Sequence, residues 1–332
     1  MPDCDVAIVG LGRMGTALTE RLLGQGLRVA VWNRSSGSGQ RLVGLGARPV
    51  DRPEDVWSAA ATAVTFLADD DALAAVCLGE GGLVPSAPAG AHLVDMSTVS
   101  VACSAQIASA AETHGLAYLR APVSGNPAVL AAGDAMIVVS GPVSAIEARR
   151  ALLERFGRAI LHVGPEEQAR VVKLALNMML AGTTQLLAEA VVLGESHGID
   201  RDELLEAITG SAVGSRFAAY KRDALVRRDY SPTFSAELLR KDLRLAASAA
   251  ENGGVRLPAL DLVLRRAESV CDRGLGDADL LALLPALQAD NGLSPDVGRT
   301  QEPGSTSMAG SHPGPDAPIV DSTTRDGTKR PA

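Results

Sequence analysis

In the run Val171-Val172-Lys173-Leu174-Ala175-Leu176-Asn177-Met178-Met179-Leu180, every position is apolar except Lys173 and Asn177. The two lie four apart, so a helix stacks them on one face. A helix that is apolar on its other sides is expected to be buried. Burial disfavours a charged amine and lowers its pKa, which suits a lysine to proton transfer near neutral pH. Gln185 and Glu189 extend the same polar stripe. In the alternative, Lys173 reaches the surface along its apolar stem and Asn177 satisfies a neighbouring helix. The five histidines form no cluster, so Lys173 is the acid–base candidate.

A second group of residues suits phosphate. Gly10-Leu11-Gly12-Arg13-Met14-Gly15 is a G-x-G-x-x-G string between a strand-like run and a helical one. Gly10 permits the tight turn, Gly12 lets a pyrophosphate approach the backbone, and Gly15 lets the helix pack closely on the strand. The helix N-terminus adds free N–H groups and partial positive charge. This context predicts a dinucleotide site. The second strand ends in Asn33-Arg34-Ser35-Ser36, without the acidic residue that accepts from a ribose 2′-hydroxyl. Arg34 supplies a fixed cation and Asn33 and Ser35 supply short donors, as a 2′-phosphate requires. The expected cofactor is therefore NADP(H) in preference to NAD(H).

The elements that must position these groups fall into two patterns. Strand-like runs occur at Asp5–Val9, Leu27–Trp32, Thr62–Leu67, His92–Met96, Ala117–Val123, Ala135–Val139 and Ile160–Val163, with helical stretches between most of them. That alternation predicts βαβ units and a parallel sheet, a Rossmann-type domain over 1–164. From Glu166 to about Asn291 the periodicity is helical, giving an all-α domain over 165–291. Its first helix should run from about Gln168 to His197 and bridge the two domains. Ile199-Asp200-Arg201-Asp202 reads as a further helix start. Residues 292–332 are rich in Pro, Gly, Ser, Thr and Asp with little apolar bulk, and are expected to be a disordered tail.

Composition narrows the partners. Of 332 residues, 46% are hydrophobic, 21% charged and only 3% aromatic, and the net charge is -8. An acidic chain poor in stacking side chains is a poor nucleic-acid binder. Cys4, Cys77, Cys103 and Cys271 are far apart and suggest reduced thiols, without a metal site. Met1–Asp5 is acidic, unlike a secretory leader, and the apolar run Val171–Gly182 is too short to cross a bilayer. The expectation is a cytoplasmic protein without membrane partners.

Four motifs, in order and spacing, resemble the β-hydroxyacid dehydrogenases. This group contains 3-hydroxyisobutyrate dehydrogenase, tartronate semialdehyde reductase and the glyoxylate/succinic semialdehyde reductases. The motifs are the glycine turn, Ala121-Pro122-Val123-Ser124-Gly125, Lys173-Leu174-Ala175-Leu176-Asn177 and Lys241-Asp242-Leu243-Arg244-Leu245-Ala246. The likeness spans about Asp5 to Leu287. It implies that Lys173 exchanges a proton with the substrate oxygen while Asn177 holds the substrate beside it. It implies that Ser124, Gly125 and Asn126 bind a substrate carboxylate. Lys241, supported by Asp242, would lie near both cofactor and substrate. Asp95-Met96-Ser97-Thr98 would place Thr98 near the nicotinamide, and Leu67 and Ala68 would line the cofactor cleft. The implied reaction interconverts a short β-hydroxy acid, or a related hydroxy acid, with its aldehyde or keto form. Helical domains of this kind commonly pair, so a homodimer or homotetramer is expected.

The chain departs from the family at two places. The family writes Gly-Gly after the motif serine, where this chain has Gly125-Asn126-Pro127. The acidic residue that precedes the motif is replaced by Arg120. Both departures suggest a substrate pocket unlike that of standard 3-hydroxyisobutyrate dehydrogenase. Two other readings stand beside the leading one. An imine reductase would use the same fold but usually lacks the motif lysine, and a non-catalytic dinucleotide-binding scaffold needs neither Lys173 nor Asn177.

Overall fold

Alternate residues of the first strand enter different cores, which is why the sheet must be covered on both sides. Val6 and Ile8 of β1 (Val6–Val9) pack into one apolar cluster and Ala7 and Val9 into another. The computed structural model describes residues 3–294. The segment expected to be a disordered tail lies, from 295 onward, outside them.

The chain continues through α1 (Arg13–Gly24), β2 (Val29–Trp32), α2 (Gln40–Gly44), β3 (Arg48–Pro49) and α3 (Val56–Ala59). It then forms β4 (Thr62–Thr65), α4 (Asp70–Leu78), β5 (His92–Asp95), α5 (Val101–Thr113) and β6 (Ala117–Arg120). These strands make one parallel sheet in the order β3-β2-β1-β4-β5-β6. The order reverses between β1 and β4, where doubly wound sheets open a ligand crevice at their carboxyl ends.

The strand-like run Ala117–Val123 is not one strand. It breaks after Arg120, and β7 (Val123–Ser124) pairs antiparallel with β8 (Met136–Val139) in a second sheet. Pro122 lacks the N–H a ladder needs and accepts from Val138 N instead. Between these strands lies α6 (Pro127–Ala132), and α7 (Val143–Phe156) leads to β9 (Ala159–His162), parallel to β8.

The rest is helical: α8 (Gln168–Ser196), α9 (Arg201–Gly210), α10 (Arg216–Arg227), α11 (Ala236–Asn252), α12 (Pro258–Val270) and α13 (Leu283–Asp290). Asp200 caps α9 by accepting from Asp202 N and Glu203 N. The expected burial of α8 on all sides is not found within one chain. Leu174 and Ala181 enter a core shared with α11 and α12, whereas Val171, Met179, Leu186 and Leu193 are at least half exposed. Leu187, Ala188 and Val191 enter a further core with residues of α9, α10 and α13. By length and composition α8 could also cross a bilayer, a stretch longer than the Val171–Gly182 run indicated.

A fully buried ion pair ties α8 to the sheet. Arg170 Nη2 donates to Asp95 Oδ2 at 2.5 Å and to the Tyr118 hydroxyl at 3.0 Å, while Nη1 donates to Ser97 O at 2.7 Å. Asp95 Oδ1 accepts from Thr65 Oγ1 and Ser97 N. Removing one partner of such a pair leaves an uncompensated charge, which costs about 3–5 kcal/mol. Asp95→Ala is therefore expected to lower the unfolding free energy by about that amount in a denaturant titration. Replacing both Asp95 and Arg170 with leucine and methionine should cost less than Asp95→Ala alone.

Candidate active site

The glycine turn follows β1 directly. Gly10 has φ +97°, and a Cβ there would lie 2.2 Å from Phe66 O. A Cβ at Gly15 would lie 1.9 Å from Gly10 O, so the start of α1 is pressed onto the turn. Gly12 differs, because a Cβ there would meet no atom within 4 Å. Open space thus lies against its backbone. Gly12 is the N-cap of α1, which has no side-chain cap and no acidic residue in its first turn. The orphan N–H groups of Arg13, Met14 and Gly15 therefore start a helix suited to an anion. Leu11 is buried beneath the turn, while Arg13 is exposed.

Asn33 braces this turn. Its Oδ1 accepts from Leu11 N at 2.9 Å, and its Nδ2 donates to Ser35 Oγ at 2.9 Å and Ser35 O at 3.1 Å. Arg34 is exposed beside it. At the neighbouring strand ends, Leu67 N donates to Ser97 Oγ at 2.9 Å. Leu67 is half-buried and Ala68 exposed. These groups surround the crevice between β1 and β4, and their chemistry fits a dinucleotide phosphate.

Four elements meet beside the crevice. On α8, Lys173 Nζ donates to Val123 O of β7 at 2.8 Å. One turn on, Asn177 is buried and donates from Nδ2 to Asp242 Oδ2 at 2.6 Å. Lys241, beside it on α11, donates to Thr98 O at 2.5 Å. Lys241 Nζ also lies 3.0 Å from Asp242 Oδ1, but without hydrogen-bond alignment, so this buried oxygen keeps an unmet acceptor. Lys173, Asn177, Lys241, Asp242 and Thr98 are thus brought together. Gln185 is joined to Glu189 at 2.8 Å further along α8.

Burial pushes the Lys173 amine below its ordinary value, the Asp242 carboxylate opposes this, and the neighbouring Lys241 cation reinforces it. The amine can therefore change protonation state below the usual lysine range.

Ser124 ends β7, and Gly125 follows with φ +153°. Asn126 caps α6 by accepting from Val129 N at 2.9 Å, and its Nδ2 donates to the Tyr220 hydroxyl of α10 at 2.7 Å. Arg120 does not join this group. It pairs with Glu167 at the start of α8 and lies 4.8 Å over the Tyr118 ring. Sequence reasoning missed Arg170, Glu167 and Tyr220. Their partners are far away in the chain, and no local spacing signals them.

The chain is similar to known proteins over most of its described length. The profile of the NAD binding domain of 6-phosphogluconate dehydrogenase matches residues 5–164. That of the NAD-binding domain of NADP-dependent 3-hydroxyisobutyrate dehydrogenase matches 168–287. The chain is 31% identical to 3-hydroxyisobutyrate dehydrogenase of Pseudomonas aeruginosa, over 74% of this chain and 85% of that protein. It is 28% identical to glyoxylate/succinic semialdehyde reductase 2 of Arabidopsis thaliana, over 86% and 79%. The structure of Mycobacterium tuberculosis 3-hydroxyisobutyrate dehydrogenase with L-serine superposes with a TM-score of 0.78. It shares 26% identity over 87% of this chain and all of that one. The chain therefore belongs to the β-hydroxyacid dehydrogenase family and is an oxidoreductase that uses a nicotinamide dinucleotide.

Proposed function

We propose that the protein is an NADPH-dependent reductase or dehydrogenase that interconverts a short β-hydroxy acid, or a related hydroxy acid, with its aldehyde or keto form. The observation that carries this reading is the Lys173 amine, lowered by burial and held 2.8 Å from Val123 O, one residue before the Ser124–Gly125 loop. The cofactor, when bound, supplies or accepts the hydride. Lys173 gives the substrate oxygen a proton in reduction and takes it in oxidation. As an ammonium it also polarises the carbonyl. Asn177 is fixed by Asp242 and holds the substrate beside Lys173. Ser124, Gly125 and Asn126 form the loop that takes the carboxylate. Lys241 spans to Thr98 and closes the cofactor side of the site.

Arg13, Met14 and Gly15 of the turn, with Leu67, Ala68 and Thr98, would hold the dinucleotide. Arg34, exposed beside the second strand, would take the 2′-phosphate, with Ser35 near it and Asn33 as the brace. Lys173 favours this chemistry over imine reduction, for which the motif lysine is usually absent. The four unpaired thiols suit a cytoplasmic location. Met179, Leu186 and Leu193, seven apart on the exposed face of α8, support a homodimer or homotetramer.

Substitutions at the named residues test these assignments. Lys173→Ala should lower kcat for glyoxylate or succinic semialdehyde reduction by about 10²–10⁴ and leave NADPH affinity unchanged. Reduction needs the ammonium, so its rate should fall as pH rises through the Lys173 pKa, below the ordinary 10.5, while the oxidation rate rises. Asp242→Asn removes the charge that raises this pKa, so the limb should move to lower pH. An unmoved limb would remove Lys173 from the role.

Gly12→Ala should fold normally, since the added methyl meets open space, yet weaken NADPH binding about tenfold or more. Arg34→Ala should weaken NADPH about tenfold and NADH hardly at all in fluorescence titrations. Equal losses would overturn the NADPH preference. In light scattering, the double substitution Met179→Glu and Leu186→Glu should convert the oligomer to monomer, and a monomeric wild type would contradict the pairing.

A further inference from the structure

The loop that follows β7 carries the chain's departure from its family, and that departure has a partner. Asn126 Nδ2 donates to the Tyr220 hydroxyl at 2.7 Å, joining residues 94 apart in sequence. The loop belongs to the βα half and Tyr220 to α10 of the helical half, so the bond ties the two halves together one residue after Gly125.

Each partner is anchored independently of the bond. Asn126 Oδ1 is held by Val129 N, and Pro127 follows at the first position of α6. Pro127 stiffens the turn because its ring fixes φ. Tyr220 precedes Lys221, which is buried and bound to Asp279 at 2.8 and 2.9 Å and to Thr233 Oγ1 at 2.7 Å. Asp279 in turn accepts from Thr233 N and Leu281 N. The Lys221 ammonium also lies 5.3 Å from the Tyr220 ring centroid. Groups fixed in advance lose little side-chain freedom when they pair, so even this exposed hydrogen bond is favoured.

The bond also limits what Asn126 can do. With Oδ1 committed to the helix cap and Nδ2 to Tyr220, the amide serves the loop's geometry first. A glycine at this position, as the family usually has, could make neither contact.

We infer that Asn126 and Tyr220 form a strap between the two halves that positions the Ser124–Gly125 loop for the substrate. This rests on the hydroxy-acid reading of the site. Tyr220 acts through the loop and is a positioning residue.

The test combines a double-mutant cycle with a measurement that needs no turnover. Tyr220→Phe removes the hydroxyl alone. Asn126→Ser keeps a helix-capping oxygen but is too short to reach Tyr220. Hydrogen exchange of the unliganded full-length protein should show faster exchange over residues 124–133 in both variants, to the same extent as in the double variant. With NADPH and glyoxylate or succinic semialdehyde, Tyr220→Phe should raise KM about five- to tenfold with kcat within about twofold of wild type. The double variant should match Asn126→Ser, because Tyr220 acts only through Asn126. Unchanged exchange over 124–133 would overturn the strap whatever the enzyme turns over. Altered exchange with multiplying KM effects, or with unchanged KM, would overturn its role in placing the loop for the substrate. Altered exchange in a protein that reduces none of these acids would instead contradict the hydroxy-acid reading.

Discussion

The ion pair between Arg170 and Asp95 sets the geometry on which the rest depends. Both side chains are essentially inaccessible to solvent. A buried charge without its partner is strongly unfavourable, so neither is tolerable unless α8 docks against the end of β5. The pair's net contribution to stability is small beside the cost of breaking it, and its larger effect is to permit only one docking. Arg170 also holds Ser97 O, and the Ser97 hydroxyl accepts from Leu67 N. The strand ends that border the dinucleotide crevice and the helix that carries Lys173 therefore share one network. Lys173 lies three residues beyond Arg170, so its reach to Val123 follows from that docking.

Around Lys173 the competing electrostatic effects explain the choice of neighbours. Burial and Lys241 favour the neutral amine, and Asp242 favours the ammonium. Asp242 is shared between two groups: Asn177 takes Oδ2, and Lys241 lies against Oδ1. A carboxylate at 177 would stand one turn from Lys173 and face Asp242, adding a second negative charge where one already suffices. Asparagine donates to Asp242 without adding charge. The lysine is thereby kept from the tight, fully ionised pair that would hold its proton too firmly for transfer.

The legible parts of the molecule are those whose cause is local. Gly10 and Gly15 can be read from the string because backbone atoms exclude any side chain there. Lys173 and Asn177 stand out as the only polar positions in an apolar helical run. The sheet order is prepared by the βα alternation. Arg170 is invisible for the opposite reason. It looks like an ordinary charge at a helix start, while its partner lies 75 residues earlier. The break between β6 and β7 is hidden because Ala117–Val123 reads as one strand-like run, and the missing N–H of Pro122 is its local sign. The apolar run of α8 predicts burial on every side, whereas Met179, Leu186 and Leu193 are exposed, because residue types alone do not show which faces the neighbouring elements reach.

The two departures from the family pattern have different structural consequences. Arg120 replaces an acidic residue at the end of β6, yet its guanidinium turns to Glu167 and the Tyr118 ring. Glu167 is the N-cap residue of α8, where a negative charge also meets the positive end of the helix dipole. The charge reversal at 120 is therefore met by Glu167 before α8, close to the Arg170–Asp95 pair that docks the same helix. Asn126 is different, because it follows Ser124 and Gly125 directly and is tied to Tyr220 of α10. Asn126 thus holds the loop beside the amine, while Arg120 helps to seat the helix that carries it.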